Sequence, residues 1–294
     1  IVKNSIKEIH KNEYLYYLDD GLNGEKRQIK VSMNFDKIKG LLNIDFTGTS
    51  KQQENNFNAP KPVTKAAIIY CLRLLIGEKI PINAGFMDLI KIKVPSGTML
   101  SPVYPAPVTA GNVETSQAIT SAILLALKIQ AASQSTMNNI TWGNAKYQYY
   151  ETLSGGTGAG INKNGEPYNG TSGVQSHMTN SRLTDPEILE SRFPVIIQEF
   201  KIRKNSGGKG KFFGGDGVIR KIKFLEGMYL SILSGHRERK TPGLNGGEKG
   251  KRGKNIIIRR NGGKEKLAYS AQLSVKKGDI LIIKTPGGGG YGEL

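Results

Sequence analysis

The residues best equipped for chemistry gather between positions 138 and 182. Asn138 and Asn139 are followed by Tyr149-Tyr150-Glu151-Thr152, then by the run Gly155-Gly156-Thr157-Gly158-Ala159-Gly160, then by Ser176-His177-Met178-Thr179-Asn180-Ser181-Arg182. Carboxamide, carboxylate, imidazole and guanidinium groups on loops are what a polar small-molecule site requires. His177 could shuttle a proton near neutral pH. Glu151 could orient substrate or water. Asn138, Asn139, Tyr150, Asn180 and Arg182, with the backbone amides of Gly156 and Gly158, could supply fixed donors for an anionic reacting group. The competing reading is a network that only satisfies loop backbone groups.

Other chemistries fail on spacing. A dinucleotide fingerprint needs a helix opening at its last glycine, so that amides and helix dipole meet the pyrophosphate. Here Ile161-Asn162-Lys163-Asn164-Gly165 follows, which is a turn. No Gly-Lys pair is followed by Ser or Thr, as a phosphate-binding P-loop requires. The histidines, His10, His177 and His236, include no pair at the spacing of a helical zinc site, and Cys71 is the sole cysteine. Gly-x-Ser-x-Gly is absent. Ser206 to Lys209 and Ser274 to Lys277 fit Ser-x-x-Lys, but neither opens a helix. No metal ligand is assigned to this chain.

The elements that must position the cluster can be read from periodicity. Tyr14, Tyr16 and Leu18 alternate over 13–18, and Asp19-Asp20-Gly21 closes that strand. Strands over 29–35 and 41–46 complete a three-stranded meander. An apolar run over 63–76, with Gly77 just past its end, predicts a helix buried on all sides. Residues 78–111 carry five prolines and predict loop with short extended pieces. A second buried helix is predicted over 115–132, capped by Asn112 or Thr115. Few long regular elements are expected over 143–185. Asp185-Pro186 opens a short helix ending at Glu190 or Ser191. Short strands over 195–203, 218–224, 229–233, 255–260 and 279–283 lie between glycine turns and predict a sandwich or barrel-like unit.

The fold class is therefore α+β. A mixed region with the polar loop cluster spans 1–194, and a basic, glycine-rich β unit spans 195–294. Of 37 glycines, 28 follow residue 150. The net charge of +18 is also uneven: residues 199–294 hold 22 Lys and Arg against 8 Asp and Glu. That excess reads as a solvated surface, or as a docking face for an acidic partner subunit or a phosphorylated intermediate. Few aromatics accompany it, so nucleic acid is not the expected partner. No apolar run reaches the roughly 18 residues of a membrane span. With no secretory signal and one cysteine, the expected setting is the cytoplasm.

One ordered set of motifs runs through the chain. It includes Ile44-Asp45-Phe46-Thr47-Gly48-Thr49-Ser50, Asn56-Phe57-Asn58, Pro81-Ile82-Asn83-Ala84-Gly85, Val94-Pro95-Ser96-Gly97-Thr98 and Gly111-Asn112-Val113-Glu114-Thr115-Ser116-Gln117. It continues with Tyr149-Tyr150-Glu151-Thr152, the glycine run, His177 to Arg182, Gly214-Gly215-Asp216-Gly217, Gly243-Leu244-Asn245-Gly246-Gly247 and Thr285-Pro286-Gly287-Gly288-Gly289-Gly290-Tyr291-Gly292. In this order the motifs resemble the C-terminal part of the hydantoinase B/oxoprolinase family. The resemblance implies a portion of the B-type subunit of an ATP-dependent amidohydrolase that opens cyclic amides such as hydantoins, 5-oxoproline or lactams. Related proteins are ketone carboxylase subunits. An A-type subunit would bind ATP and phosphorylate the small-molecule substrate. The missing N-terminal portion would complete the B-type subunit, because the His and Asp metal ligands of relatives lie in a stretch without counterpart here. A divalent metal and ATP are thus expected in the complete complex and none on this chain alone. A subunit of a related ATP-dependent ketone carboxylase, a non-catalytic assembly module and a nucleic-acid-binding protein are the other readings.

Overall fold

The computed structural model describes residues 6, 7, 9, 11–21, 24–77 and 84–294. His10 and the Pro81-Ile82-Asn83 motif lie outside them. Contacts divide the chain into two compact units: Ile1–Gln130 with Ile161–Pro167, and Ala131–Gly160 with Tyr168–Leu294.

The first unit is built on β1 (Asn12–Tyr17), β2 (Gln28–Asp36) and β3 (Leu41–Asp45), the antiparallel meander expected from alternation. A fourth strand, β4 (Ile90–Lys93), comes from the proline-bearing stretch and pairs parallel to β3. Ile29, Val31, Met33, Leu42 and Ile44 bury one face of the sheet. Helix α1 (Lys61–Ile76) ends on Gly77 in the left-handed region, as its sequence indicates. It is not buried all round. Thr64, Ala67, Ile68, Cys71, Leu72 and Ile76 form the covered stripe, while Lys65, Ala66 and Leu74 are exposed. The short α2 (Ala84–Met87) follows it. The second long helix starts as a single π-type turn, Gly111–Thr115, and continues as α3 (Ser116–Ala126), every residue of which is buried. It packs on α1, β1 and β2. Neither Asn112 nor Thr115 caps it through a side chain, and it ends six residues before the expected limit.

The second unit is a β-sandwich. One sheet has the order β13-β12-β15-β10-β9, the other β14-β11-β5-β6. Its strands are β5 (Asn139–Gly143), β6 (Gln148–Thr152), β9 (Val195–Arg203), β10 (Gly217–Phe224), β11 (Met228–Leu233), β12 (Lys254–Ile258), β13 (Lys264–Leu267), β14 (Ser270–Val275) and β15 (Ile280–Lys284). Ile140, Trp142, Leu230 and Ile232 of one sheet meet Ile222, Phe224, Ile257, Leu281 and Ile283 of the other. The composition boundary at 194/195 is therefore not the boundary between compact units. β5 and β6 belong to the sandwich because β5 pairs with β11, and β6 is a short strand within a stretch expected to hold few long regular elements. A two-stranded ribbon, β7 (Gly160–Ile161) with β8 (Pro167–Tyr168), and helix α4 (Pro186–Arg192), capped by Asp185, complete the elements.

Glycine abundance has a specific cause in this unit. Residues 287–292 run through its interior without joining a sheet. The amides of Gly287 and Gly290 donate to Lys251 and Glu248, and those of Gly288 and Tyr291 to Gly215 and Phe212. Partners recur every third residue, the repeat of a polyproline-type extended chain, where a β-strand would repeat every second. Several backbones must then approach this one closely. A Cβ on Gly288 would sit 1.9 Å from the Thr157 carbonyl oxygen.

Candidate functional site

The polar cluster is laid out along a segment that ends in the β5–β6 hairpin. Residues 131–136 are buried although four of them are polar. Their backbone is held from outside the segment: the amide of Ala131 donates to Ala159, that of Ala132 to Pro242 and that of Gln134 to Gly156. Ser135 and Asn138 have φ of 50° and 47°, left-handed conformations that non-glycine residues seldom adopt. Side-chain bonds hold both turns. Ser135 Oγ donates to the Ser133 carbonyl, and the Asn138 amide donates to Thr136 Oγ1, which also receives the Gly235 amide.

His177 is brought to this segment. Its φ is 57°, and its Nε2 lies 2.8 Å from Ser133 Oγ. Thr179 closes a turn onto Ser176 and its hydroxyl donates to Gln175, whose side-chain amide donates to Thr152 at the end of β6. Ser133 is fully buried and its Oγ also accepts the Gly158 amide at 3.1 Å. The Ser133 oxygen keeps a second lone pair and its own proton, so the contact with Nε2 runs in either direction according to the ring tautomer. Desolvation pushes the imidazole down to about 4. The ring is thus neutral at pH 7. It can accept a proton or a hydrogen bond there, but it does not titrate near neutrality as the sequence alone suggested.

The remaining predicted residues divide into groups. Asn138 is buried, and its Nδ2 donates to Gln134 Oε1 and to the Leu153 carbonyl; its Oδ1 has no partner among the described residues. Asn139 Nδ2 donates to the Leu233 carbonyl, while its Oδ1 accepts from Tyr150, so those two residues lock each other on the hairpin. Asn180 and Arg182 are exposed.

Glu151 departs from its expected role. Its two oxygens receive Arg220 Nε and Nη2 of β10, both at 2.9 Å, and Tyr149 adds a third bond. The Glu151 and Arg220 side chains are 2% and 1% exposed. This ion pair joins the two sheets inside the sandwich, and the Arg220 guanidinium also lies over the Phe200 ring. A carboxylate so engaged is not available to orient a substrate.

The glycine run is corrected in the same way. The amides of residues 155–159 donate to Val174, Pro286, Thr171, Ser133 and Gly289. None is left over as an oxyanion donor. Gly156 and Gly158 are glycines because a Cβ would meet the carbonyls of Gly215 and Ala131, each at 1.8 Å. Among the described residues, no three His, Cys, Asp or Glu side chains converge on a position that could hold a metal ion.

The structure thus brings His177, Gly158, Gly156 and Asn138 together through two residues the sequence did not single out, Ser133 and Gln134. The available signal was the polar run Ser-Gln-Ser-Thr immediately before the alternation of Ile140 and Trp142. The helix expected through residue 132 obscured it.

A sequence model described as hydantoinase B/oxoprolinase matches residues 1–294. The chain is 47% identical over 277 residues to 5-oxoprolinase 1 of Arabidopsis thaliana, covering 94% of this chain and 21% of that protein. It is 41% identical over 292 residues to 5-oxoprolinase of Dictyostelium discoideum, covering 99% and 22%. The chain therefore spans about a fifth of the length of these relatives. The fold is also that of an ATP-dependent caprolactamase from Pseudomonas jessenii, with a TM-score of 0.84 and 21% identity, over 99% of this chain and 53% of the other.

Proposed function

This chain belongs to the hydantoinase B/oxoprolinase family, and on that premise we propose that it forms the C-terminal portion of an ATP-dependent amidohydrolase of the 5-oxoprolinase type. The observation that carries the reading is the 41–47% identity to two 5-oxoprolinases over nearly the whole chain. An amide carbonyl is a poor electrophile. Transfer of a phosphoryl group to its oxygen makes a good leaving group, after which water can attack carbon. The phosphoryl transfer is assigned to an ATP-binding A-type partner, since no phosphate-binding loop occurs here.

The chain's own contribution is the Ser133–His177 pair. A neutral imidazole paired with a hydroxyl can accept a proton at whichever ring nitrogen carries no hydrogen. Buried carboxamides at Asn138 and Gln134 fix the segment that carries it. A divalent metal belongs to the complete complex in this reading. The described residues of this chain do not fit one, and no step is assigned to it.

The test is ATP-dependent conversion of 5-oxoproline to glutamate by the complete enzyme. His177→Ala should lower kcat by about 100-fold, the scale of lost general-base catalysis. Unchanged kcat would support the second reading, a non-catalytic assembly module. That reading is favoured by the amides of residues 155–159 being spent inside the fold.

A further inference from the structure

The outer face of the five-stranded sheet is built from two residue types. Ile222, Phe224, Ile257, Leu281 and Ile283 point into the sandwich, so the residues between them point away. On β10 those are Ile219, Lys221 and Lys223. On β15 they are Ile280, Ile282 and Lys284. On β12 they are Lys254, Ile256 and Ile258, and β13 adds Lys264 and Lys266. On β9, Lys201 lies opposite Ile219, Glu199 opposite Lys221 and Ile196 opposite Lys223. Between β10 and β15 the register interleaves the two types, with Ile219 facing Lys284, Lys221 facing Ile282 and Lys223 facing Ile280, whereas between β12 and β15 Lys254 faces Lys284, Ile256 faces Ile282 and Ile258 faces Ile280.

We infer that this face docks an acidic protein surface that also carries apolar side chains. Glu199 is the one acidic residue on the face, and it already pairs with Lys201 at 2.6 Å. Lys201, Lys221 and Lys284 together hold its carboxyl below the usual range, so the field here favours carboxylates. Lys254 and Lys284 lie directly opposite each other on adjacent strands about 4.8 Å apart, which sets like charges side by side. A carboxylate-bearing surface removes that repulsion, and its apolar groups cover the isoleucines left between the lysine stems. A second copy of the chain would meet like charge with like charge. Nucleic acid fits poorly, because these strand positions carry no aromatic ring to stack a base, and Arg203, on the same face at the end of β9, already donates from Nη1 to the carbonyls of Arg252 and Thr285. Five strands of about five residues span roughly 400–500 Å², about half of what one partner gives a standard interface. Binding through this face alone should therefore be weak and salt-sensitive. The inference goes beyond the proposed reaction and does not depend on it.

The test uses the whole chain and four probes: a random Glu/Tyr copolymer, poly-glutamate of equal length, a single-stranded DNA oligonucleotide, and phosphatidylserine vesicles. The copolymer should bind tightest. Lys221→Glu/Lys223→Glu/Lys284→Glu should weaken it at least about tenfold, while Lys37→Glu/Lys65→Glu/Lys91→Glu, an equal charge change on exposed residues of the first unit, should stay within about twofold. Ile256→Thr/Ile282→Thr should remove the copolymer's advantage over poly-glutamate at unchanged charge. If a reversed set failed to fold by circular dichroism, the Lys→Gln versions would take its place and should weaken binding less, in the same order. Equal losses from both triple sets, no effect of the Ile→Thr pair, or tighter binding of DNA or vesicles would each overturn the inference.

Discussion

At the scale of single residues, burial separates what His177 and Glu151 can do. The His177 ring sits well below its ordinary value of 6.5, at about 4. Between those values the unfolded chain binds a proton that the folded chain does not. Its contribution to stability is therefore complete above pH 6.5 and is lost as pH falls toward 4, by up to about 3 kcal/mol. Denaturant midpoints at pH 7, 5.5 and 4.5 should fall more steeply for the native chain than for His177→Gln, which cannot be protonated. Parallel slopes would show that the ring is more solvated than its surroundings indicate. Glu151 presents the opposite case, a charge that stays charged because Arg220 faces it in the sandwich interior. Removing one partner leaves the other buried and unpaired, so Glu151→Gln should cost about 3–5 kcal/mol. Glu151→Leu/Arg220→Met should cost less than Arg220→Met alone, a comparison that urea unfolding can make directly. A catalytic role for Glu151 would predict the reverse pattern, with little loss of stability and a large loss of turnover.

Elements follow from sequence where a single rule decides them, and fail where two rules compete. Alternation alone places β1 to β3, and the αL glycine ends α1 at Gly77. The same reasoning locates β9 to its last residue. It leaves β4 as one of the short extended pieces expected over 78–111 without placing it, because five prolines in that stretch outweigh a short Ile-Lys-Ile-Lys alternation. It misses β5 and β6 because the polar and aromatic residues of 139–152 lack a simple apolar period; Tyr150 points outward at 53% exposure while Glu151 and Thr152 are buried. The glycine runs were the most misleading signal, since they resemble anion cradles yet serve backbone packing. The central extended segment makes that claim testable. Gly288→Ala would push a methyl group against the Thr157 carbonyl and should destabilise the chain by about 3 kcal/mol or more. Gly262, at φ 88° with open space around it, should lose only about 1 kcal/mol on the same change. Thermal melts of the two variants decide between packing and ligand binding as the reason for the glycines. Equal shifts would remove the packing explanation.

At the scale of the whole molecule, the family is legible in the order of motifs, whereas the site that family membership implies is not confined to any one of them. Each glycine or polar motif has a local structural use: Gly156 and Gly158 admit passing backbones, and Asn139 fastens Tyr150. The Ser133–His177 contact is different in kind, because it joins a buried hydroxyl to a ring that can carry a proton, while the same oxygen accepts the Gly158 amide. The chain also spans about a fifth of the 5-oxoprolinases it matches. These facts together predict a division of labour. In the proposed reading ATP binds to the A-type partner, so the chain by itself should show no 5-oxoproline-stimulated ATP hydrolysis above background. Within the complete enzyme, Ser133→Ala should lower kcat by about tenfold and leave KM for 5-oxoproline within about twofold, since the hydroxyl acts through His177 and not on the bound substrate. It should also move the acid limb of the kcat profile, because Nε2 loses its hydroxyl partner. Initial rates of glutamate formation from pH 3.5 to 9 read both effects, since a ring titrating at about 4 sets its acid limb below pH 5. A Ser133→Ala enzyme with reduced kcat and an unshifted profile would mean the hydroxyl only holds the loop. Substantial ATP turnover by the chain alone would place the phosphorylating chemistry here and undo the division altogether.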